Sequence, residues 1–136
     1  MKLLLDTNIV LDVLLKREPW VTIAKELWTA GDKGLINGFL TASTLTDIYY
    51  VARKTTDISH AQQAVYICLQ AFEICPVDRN SLELALSFPG SDFEDNLQIA
   101  SAILSGLDGI VTRDPTGFKA SPVTILTPEE ALQQLL

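Results

Sequence analysis

The sequence is poor in the residues that build thiol-based and zinc-based sites. It contains one histidine, two cysteines and one methionine among 136 residues. Zinc sites need several cysteine or histidine ligands at characteristic spacing, and neither such a cluster nor an HExxH motif is present. His60 is therefore interpreted as a surface or capping residue. Cys68 and Cys75 lie in apolar surroundings and are interpreted as reduced core residues, with a disulfide or metal role as the alternative.

Long apolar runs are also missing. The longest hydrophobic stretches are far shorter than a membrane span, and Met1 is not followed by a signal-peptide pattern. We therefore expect a cytoplasmic protein that does not associate with membranes.

Basic residues are few. Ten Lys and Arg residues against 17 Asp and Glu residues give a formal net charge of −7. A protein that coats nucleic acid through bulk charge should be basic, so this class is disfavoured. An enzyme with an acidic metal site inside a local basic rim remains compatible with this charge. The candidate rim residues, each of which is otherwise an ordinary solvated position, are Lys16, Arg17, Arg53, Lys54, Arg113 and Lys119.

Five short apolar segments alternate with helical patterns. Hydrophobic residues make up 48% of the chain, and its length is typical of one domain, so we expect a single domain over residues 1–136. The alternation predicts an α/β fold with a parallel sheet covered by helices on both faces. The predicted strands are Lys2–Leu5, Leu35–Leu40, Glu73–Val77, Asp108–Thr112 and Pro122–Leu126.

One helix start is marked by Ser91 and Glu94, which have the spacing of a capping box. In such a box the glutamate side chain folds back onto the helix start. The helical register that follows places Asp92 and Asp95 one turn apart on the same face.

Five aspartates follow predicted strands or lie near helix starts. Asp6 follows the first strand, Asp47 lies in the helix after the second, and Asp114 follows the fourth. Asp92 and Asp95 begin the helix that leads into the fourth strand. Because these positions meet at one rim of a parallel sheet, the carboxylates would repel one another unless a cation is bound. Oxygen ligands suit Mg²⁺ or Mn²⁺, and such an ion can activate water and clamp a phosphate.

Most of these acids have a simpler interpretation when taken singly. Asp92 suits the dipole of a helix start, Asp47 fits a solvated helix position, and Asp114 fits a turn before Pro115. Asp6 is harder to explain in this way, because a charge directly after a buried strand is unfavourable without a partner.

Four motifs together resemble those of the PIN-domain ribonucleases, including VapC-like toxins of toxin–antitoxin pairs. The motifs, in chain order, are LLLDTN from Leu3, TLTDIYY from Thr44, DFEDNLQIASA from Asp92 and IVTRD from Ile110. Their order and spacing match the family over essentially the whole chain. The resemblance implies a three-layer α/β/α sandwich around a mostly parallel five-stranded sheet.

The resemblance also implies a set of site residues. The catalytic acids would be Asp6, Asp47, Asp95 and Asp114. Asp6, Asp95 and Asp114 would hold Mg²⁺ or Mn²⁺, and Asp47 would orient or deprotonate water.

Three further residues match supporting positions of the family. Asn8 and Thr112 would support the site, and Asp92 would act as an extra acid or hold an outer-shell water. Two features differ from many relatives. Asp47 replaces a frequent glutamate, and the turn Pro115–Phe118 lacks an acid that would strengthen a second metal site.

The implied function is a metal-dependent endoribonuclease that acts as a toxin, with RNA as its substrate. The implied partners are a small antitoxin and a second copy of the chain. Trp20, Trp28, Tyr49 and Tyr50 are candidates for an apolar contact patch, or else for core positions. Two alternatives remain. One is a catalytically silent PIN-fold module that binds RNA or protein. The other is a phosphate-accepting receiver domain, which lacks an acceptor aspartate at residues 75–77.

Overall fold

The first strand lies at the centre of the sheet. In the computed structural model, which describes residues 1–135, β1 (Lys2–Leu5) pairs with β2 (Asn37–Thr41) on one side and β4 (Gly109–Val111) on the other. β3 (Glu73–Cys75) lies beyond β2, and β5 (Thr124–Leu126) lies beyond β4. The order is therefore β3-β2-β1-β4-β5, and all pairings are parallel. All strands consequently end at the same edge, which we call the carboxyl edge.

Helices cover both faces of this sheet. Because strand side chains alternate, Leu3 and Leu5 enter a core on one face and Leu4 enters a core on the other. The first core is closed by α1 (Thr7–Leu14), α2 (Val21–Asp32), α3 (Ala42–Thr55), α4 (Ile58–Ala71) and α7 (Pro128–Gln133). The opposite face carries α5 (Arg79–Leu86), α6 (Phe93–Leu104) and a short 3₁₀ helix (Pro115–Phe118). The predicted three-layer α/β/α arrangement is confirmed.

β1 has the predicted bounds, whereas β2 begins later and β3, β4 and β5 are shorter than predicted. Two of these differences have a local cause. Leu35 is more than half exposed and donates its N–H to Ala30 O, so it completes the end of α2 rather than starting β2. Ser121 bonds through Oγ to both backbone groups of Val123, which forms a local turn ahead of β5. In both cases local closure of the backbone outweighs an apolar run of sequence.

The cysteines and the candidate contact aromatics are placed differently from one another. Cys68 and Cys75 are buried and unbridged, and burial raises the pKa of the Cys68 thiol to about 12, so reduced core residues are confirmed. Trp28 packs edge-on against Phe72 at the core margin, whereas 63% of Tyr50 is exposed.

Within residues 1–135, no helix has both the length and the apolar character needed to cross a membrane.

Candidate active site

Asp6 is held from two sides at the centre of the carboxyl edge. Its backbone N–H donates to Val111 O at 2.9 Å, which continues the pairing of β1 with β4 beyond the strand end. Thr112 Oγ1 donates to one carboxylate oxygen at 2.8 Å, and Gln98 Nε2 donates to the other at 3.1 Å. This arrangement supplies the partners that a carboxylate after a buried strand requires, and it fixes the direction in which the carboxylate points.

Asp114 follows β4 and is positioned through the same threonine. Its backbone N–H donates to Thr112 Oγ1 at 3.1 Å, so one buried hydroxyl links the two acids. Its carboxylate accepts a long bond of 3.4 Å from Thr116 N and is otherwise exposed. Thr112 therefore connects Asp6 and Asp114 by hydrogen bonds, and its role in supporting a site stays a prediction.

The start of α6 differs from the predicted capping box. Asp92, not Ser91, is the N-cap, because its Oδ1 accepts from Glu94 N at 3.0 Å and from Asp95 N at 3.2 Å. The Glu94 side chain is therefore not used for capping. It lies against Asp47 of α3, across the carboxyl edge.

These acids surround one cavity of about 310 Å³ at the carboxyl edge. We call it the acidic cavity. Asn8, Gln98 and Phe118 also line it, and no lysine or arginine of residues 1–135 is among its lining residues. All five predicted aspartates reach it, together with a glutamate, so its acidic members are Asp6, Asp47, Asp92, Glu94, Asp95 and Asp114.

Two acids of the cavity have raised pKa values. Burial raises the pKa of Asp95 to about 6, with further contributions from the charges of Asp92, Asp6 and Asp114. A hydrogen bond with Asp47 raises the pKa of Glu94 to about 8, helped by burial and by neighbouring negative charge. Among residues 1–135, no lysine or arginine lines the cavity to offset this negative charge.

We expect Glu94→Gln to unfold at a higher temperature than the parent chain at pH 7.5 in EDTA. A raised carboxylate pKa means that the folded state binds the proton more tightly than the unfolded state. The acid therefore lowers stability at neutral pH, and this penalty fades as the pH falls from about 8 towards the unfolded value. Because Glu94 is solvent-exposed, screening limits the gain to about 1 kcal/mol.

Thermal melts at pH 5 and pH 7.5 measure this effect, and the gain should shrink at the lower pH. Asp95→Asn should act in the same direction, since its pKa is also raised. Glu26→Gln, which changes an exposed glutamate of α2, is the matched control and should leave stability unchanged. A Glu94→Gln protein less stable than the parent would instead make Glu94 a structural residue.

The donor set fits a hard divalent cation. Carboxylate oxygens are the preferred ligands of Mg²⁺ and Mn²⁺, and the cavity offers several of them without a competing cation. Gly117 keeps space beside Asp95, because a Cβ at that position would collide with Asp95 Oδ2 and lie 3.1 Å from Cγ. Within residues 1–135 no three His, Cys, Asp or Glu side chains stand in position to hold one ion jointly. Mg²⁺ keeps several waters and uses only one or two carboxylates, which is compatible with a loose set.

Two of the candidate rim cations form ion pairs with a buried acid. Asp12 of α1 is fully buried, and Arg113 binds it through Nε at 2.9 Å and a second nitrogen at 3.3 Å. Arg17 reaches the same carboxylate at 3.4 Å. The Arg113 guanidinium also lies 3.8 Å from the centre of the Trp20 ring, and Arg17 bonds Asn8 Oδ1 at 3.4 Å.

The other four rim candidates are exposed. Arg53 and Lys54 lie in the last turn of α3, and Lys16 lies in the turn after α1 with a φ of 53°. Lys119 lines a second cavity of about 290 Å³, which shares Asp92 with the acidic cavity. Lys119 is therefore an exposed cation beside the acidic cavity.

Three functional or structural residues escaped the sequence analysis. Gln98 lies three residues after Asp95, so its position on the same helical face was a usable signal. Glu94 was assigned to a capping box, although Asp92 is an equally good N-cap residue. Asp12 is an acid within the apolar pattern of α1, but nothing in the sequence identifies Arg113, 101 residues away, as its partner.

Comparisons with known proteins agree with this fold. A family model described as the PIN domain matches residues 2–116. No curated protein matches the chain significantly.

Several solved structures share the fold. FitAcB from Neisseria gonorrhoeae is 17% identical, with a TM-score of 0.72 over 93% of this chain and 98% of that chain. VapC20 from Mycobacterium tuberculosis, described as a sarcin–ricin loop cleaving toxin, is 15% identical, with a TM-score of 0.70 over 87% and 94%. A toxin–antitoxin complex from Klebsiella pneumoniae is 21% identical, with a TM-score of 0.68 over 92% and 96%. The resemblance drawn from the sequence motifs is confirmed, and the chain belongs to the PIN domain family.

Proposed function

We propose that the chain is an endoribonuclease that hydrolyses RNA phosphodiester bonds with Mg²⁺ or Mn²⁺, and that it is the toxin of a toxin–antitoxin pair. The observation that carries the proposal is the acidic cavity, where carboxylates from α3, α6 and the ends of β1 and β4 meet. Membership of the PIN family and structural similarity to a toxin described as cleaving the sarcin–ricin loop support it.

Asp6, Asp95 and Asp114 would hold the cation, one or two of them as direct ligands and the rest through its waters. When bound, it would supply a nucleophile from water and a counter-charge for the phosphate. Asp6 is suited to holding it, because Thr112 and Gln98 fix its carboxylate in one orientation.

The remaining acids would accept or hold protons during the reaction. Asp47 and Glu94 both line the cavity, and a hydrogen bond with Asp47 raises the pKa of Glu94 to about 8. A shared proton allows two neighbouring carboxylates to lie together, as in other acid pairs. Asp47 is therefore placed to accept a proton from attacking water while Glu94 remains protonated. The exposed Lys119 would contact the RNA backbone outside the acids.

The test is cleavage of a mixed RNA pool by the purified chain. We expect cleavage with Mg²⁺ or Mn²⁺ and none in EDTA, because the acids alone offer no counter-charge to a phosphate. Recovery after Mn²⁺ is added back would exclude denaturation as the cause. Undiminished cleavage in metal-free buffer would reject the mechanism. RNA binding without cleavage under every metal condition would favour a catalytically silent module.

The proposal includes a small antitoxin and a homodimer in the cytoplasm. Solved relatives of this fold include toxin–antitoxin complexes. An antitoxin could place an arginine or lysine in the acidic cavity, which lacks a cation of its own among its described lining residues. Tyr50 and Tyr66, each more than half exposed on α3 and α4, are suited to apolar contacts with a partner.

Solution scattering over a concentration series tests the homodimer. We expect a mass of two chains at high concentration, because exposed aromatic residues favour association. Tyr50→Ser and Tyr66→Ser should shift the equilibrium towards the monomer if those residues contribute. A mass of one chain at every concentration would contradict the dimer.

A further inference from the structure

Gln98 occupies an unusual position in the acidic cavity. It lies on α6, lines the cavity and is 1% exposed. Its Nε2 donates to Asp6 Oδ1 at 3.1 Å, whereas its Oε1 is buried and has no hydrogen-bond partner in the described chain. A buried acceptor without a donor is destabilising, so such groups are rare and call for an explanation.

The orientation of the amide is settled by chemistry. An ionised carboxylate only accepts hydrogen bonds, so the nitrogen of Gln98 must face Asp6. Rotating the amide would bring its oxygen against the carboxylate and lose this bond. The unpartnered oxygen is thus a consequence of holding Asp6, and it receives no donor from the described residues.

We propose that Gln98 is a positioning residue that links Asp6 to the ligand of the acidic cavity. Its nitrogen sets the orientation of the Asp6 carboxylate, and its oxygen accepts a hydrogen bond from water that enters with a divalent cation. That cation is the Mg²⁺ or Mn²⁺ of the proposed function. This inference rests on the proposed function and adds to it a residue outside the set of acids.

The linked arrangement explains why an amide is needed here. An apolar residue would leave one side of Asp6 without a donor. A glutamate would place a second negative charge against the carboxylate. Only a side chain with both a donor and an acceptor can satisfy Asp6 and receive a donor at the same time.

The test uses Gln98→Met and Gln98→Asn in the full chain. Methionine keeps the length of the side chain and removes both polar groups. Asparagine keeps the amide but is one methylene shorter, so the same groups no longer reach Asp6. Ser101→Ala is the matched control, because Ser101 lies one turn further along α6, is buried and also has a hydroxyl without a partner.

The readout is Mn²⁺ affinity, measured by calorimetry on the chain without RNA. We expect both Gln98 variants to bind Mn²⁺ about 10-fold to 100-fold more weakly than the parent, as for other groups that orient metal ligands. Ser101→Ala should bind as the parent does. Melts in EDTA identify variants that fail to fold, and if Gln98→Met unfolds, Gln98→Asn alone decides the outcome.

Kinetics distinguish positioning from a structural role. For the Gln98 variants, the Mn²⁺ concentration needed for half-maximal cleavage should rise while the KM for RNA stays unchanged. Parent-like Mn²⁺ affinity in a folded Gln98 variant would overturn the inference while leaving the proposed nuclease intact. Failure of the parent chain itself to bind Mn²⁺ would instead refute the proposed function, and this inference with it.

Discussion

Asp6→Asn is expected to lower RNA cleavage on the order of a thousandfold while leaving the fold intact. Asp6 is held in the cavity between Thr112 and Gln98. Asparagine has nearly the same shape but no charge, so the cation loses a fixed anionic ligand. Stabilisation of transition-state charge by a metal amounts to several kcal/mol, and each 1.36 kcal/mol corresponds to about a tenfold change in rate.

The same substitution should not lower the melting temperature in EDTA. Asp6 is one of the charges that raise the pKa of Asp95. Removing this charge therefore relieves repulsion among the acids when the protein is in EDTA. Gln98 can rotate its amide to accept from the new asparagine. Loss of activity with unchanged or increased stability would therefore separate a functional acid from a structural one.

Asp108→Asn is the matched control for this experiment. Asp108 precedes β4 at the opposite edge of the sheet, is exposed, and accepts a hydrogen bond of 2.7 Å from Lys2 N. The control therefore removes the same charge from the same residue type, far from the acidic cavity. It should cleave RNA at the parent rate. Equal cleavage by Asp6→Asn and the parent would show either that the acidic cavity is not the active site or that the measured activity is a contaminant.

The general position of the site follows from the sequence because it depends on topology. Once strands alternate with helices, parallel pairing places every strand end at one edge. Asp6 follows β1 directly and Asp114 follows β4 after two residues, so small errors in strand bounds do not move them to another edge. All five aspartates predicted in this way line the acidic cavity.

The details of the site depend on contacts that sequence patterns do not contain. Ser91 and Glu94 match a capping box, yet Asp92 competes for the same backbone N–H groups and takes them. A tertiary contact influences which residue caps α6, because the Glu94 side chain lies against Asp47 of α3. Gln98 is similar, because its partner Asp6 is 92 residues away in the chain.

The rim cations show the same limitation. From the sequence alone, Arg113 is a free charge beside Asp114. In the structure, its guanidinium binds Asp12 and lies over the Trp20 ring. A charged side chain with a buried partner is less available to RNA than an exposed one. Lys119, Arg53 and Lys54 are therefore better candidates for backbone contacts than Arg113.

The buried Asp12 is the basis of the largest stability change that we expect. Its side chain is fully buried. The carboxylate accepts hydrogen bonds from two nitrogens of Arg113 and forms an ion pair with one nitrogen of Arg17. Removing one partner of a buried ion pair destabilises a protein by about 3–5 kcal/mol, because the remaining charge loses its counter-charge. Both arginines are partly exposed and can regain some water, which favours the lower end of this range.

Asp12→Asn should therefore lower the free energy of unfolding by about 3 kcal/mol. For a chain of this size such a loss corresponds to a fall in melting temperature of about 10 °C. The matched control is Glu83→Gln, which removes an acid from the exposed pair with Arg79 at 2.7 Å. An exposed pair contributes at most about 1 kcal/mol, so the control should melt close to the parent.

The double variant Asp12→Asn with Arg113→Met tests the cause of this loss. If the penalty comes from an unpaired arginine, replacing Arg113 as well should restore part of the lost stability, so the two changes should not add. Arg113 also precedes Asp114, so the single Asp12 variant should weaken Mn²⁺ binding by loosening the turn that carries this acid. Additive losses of stability with unchanged Mn²⁺ affinity would show that Asp12 is a packing residue whose ion pairs neither stabilise the fold nor support the site.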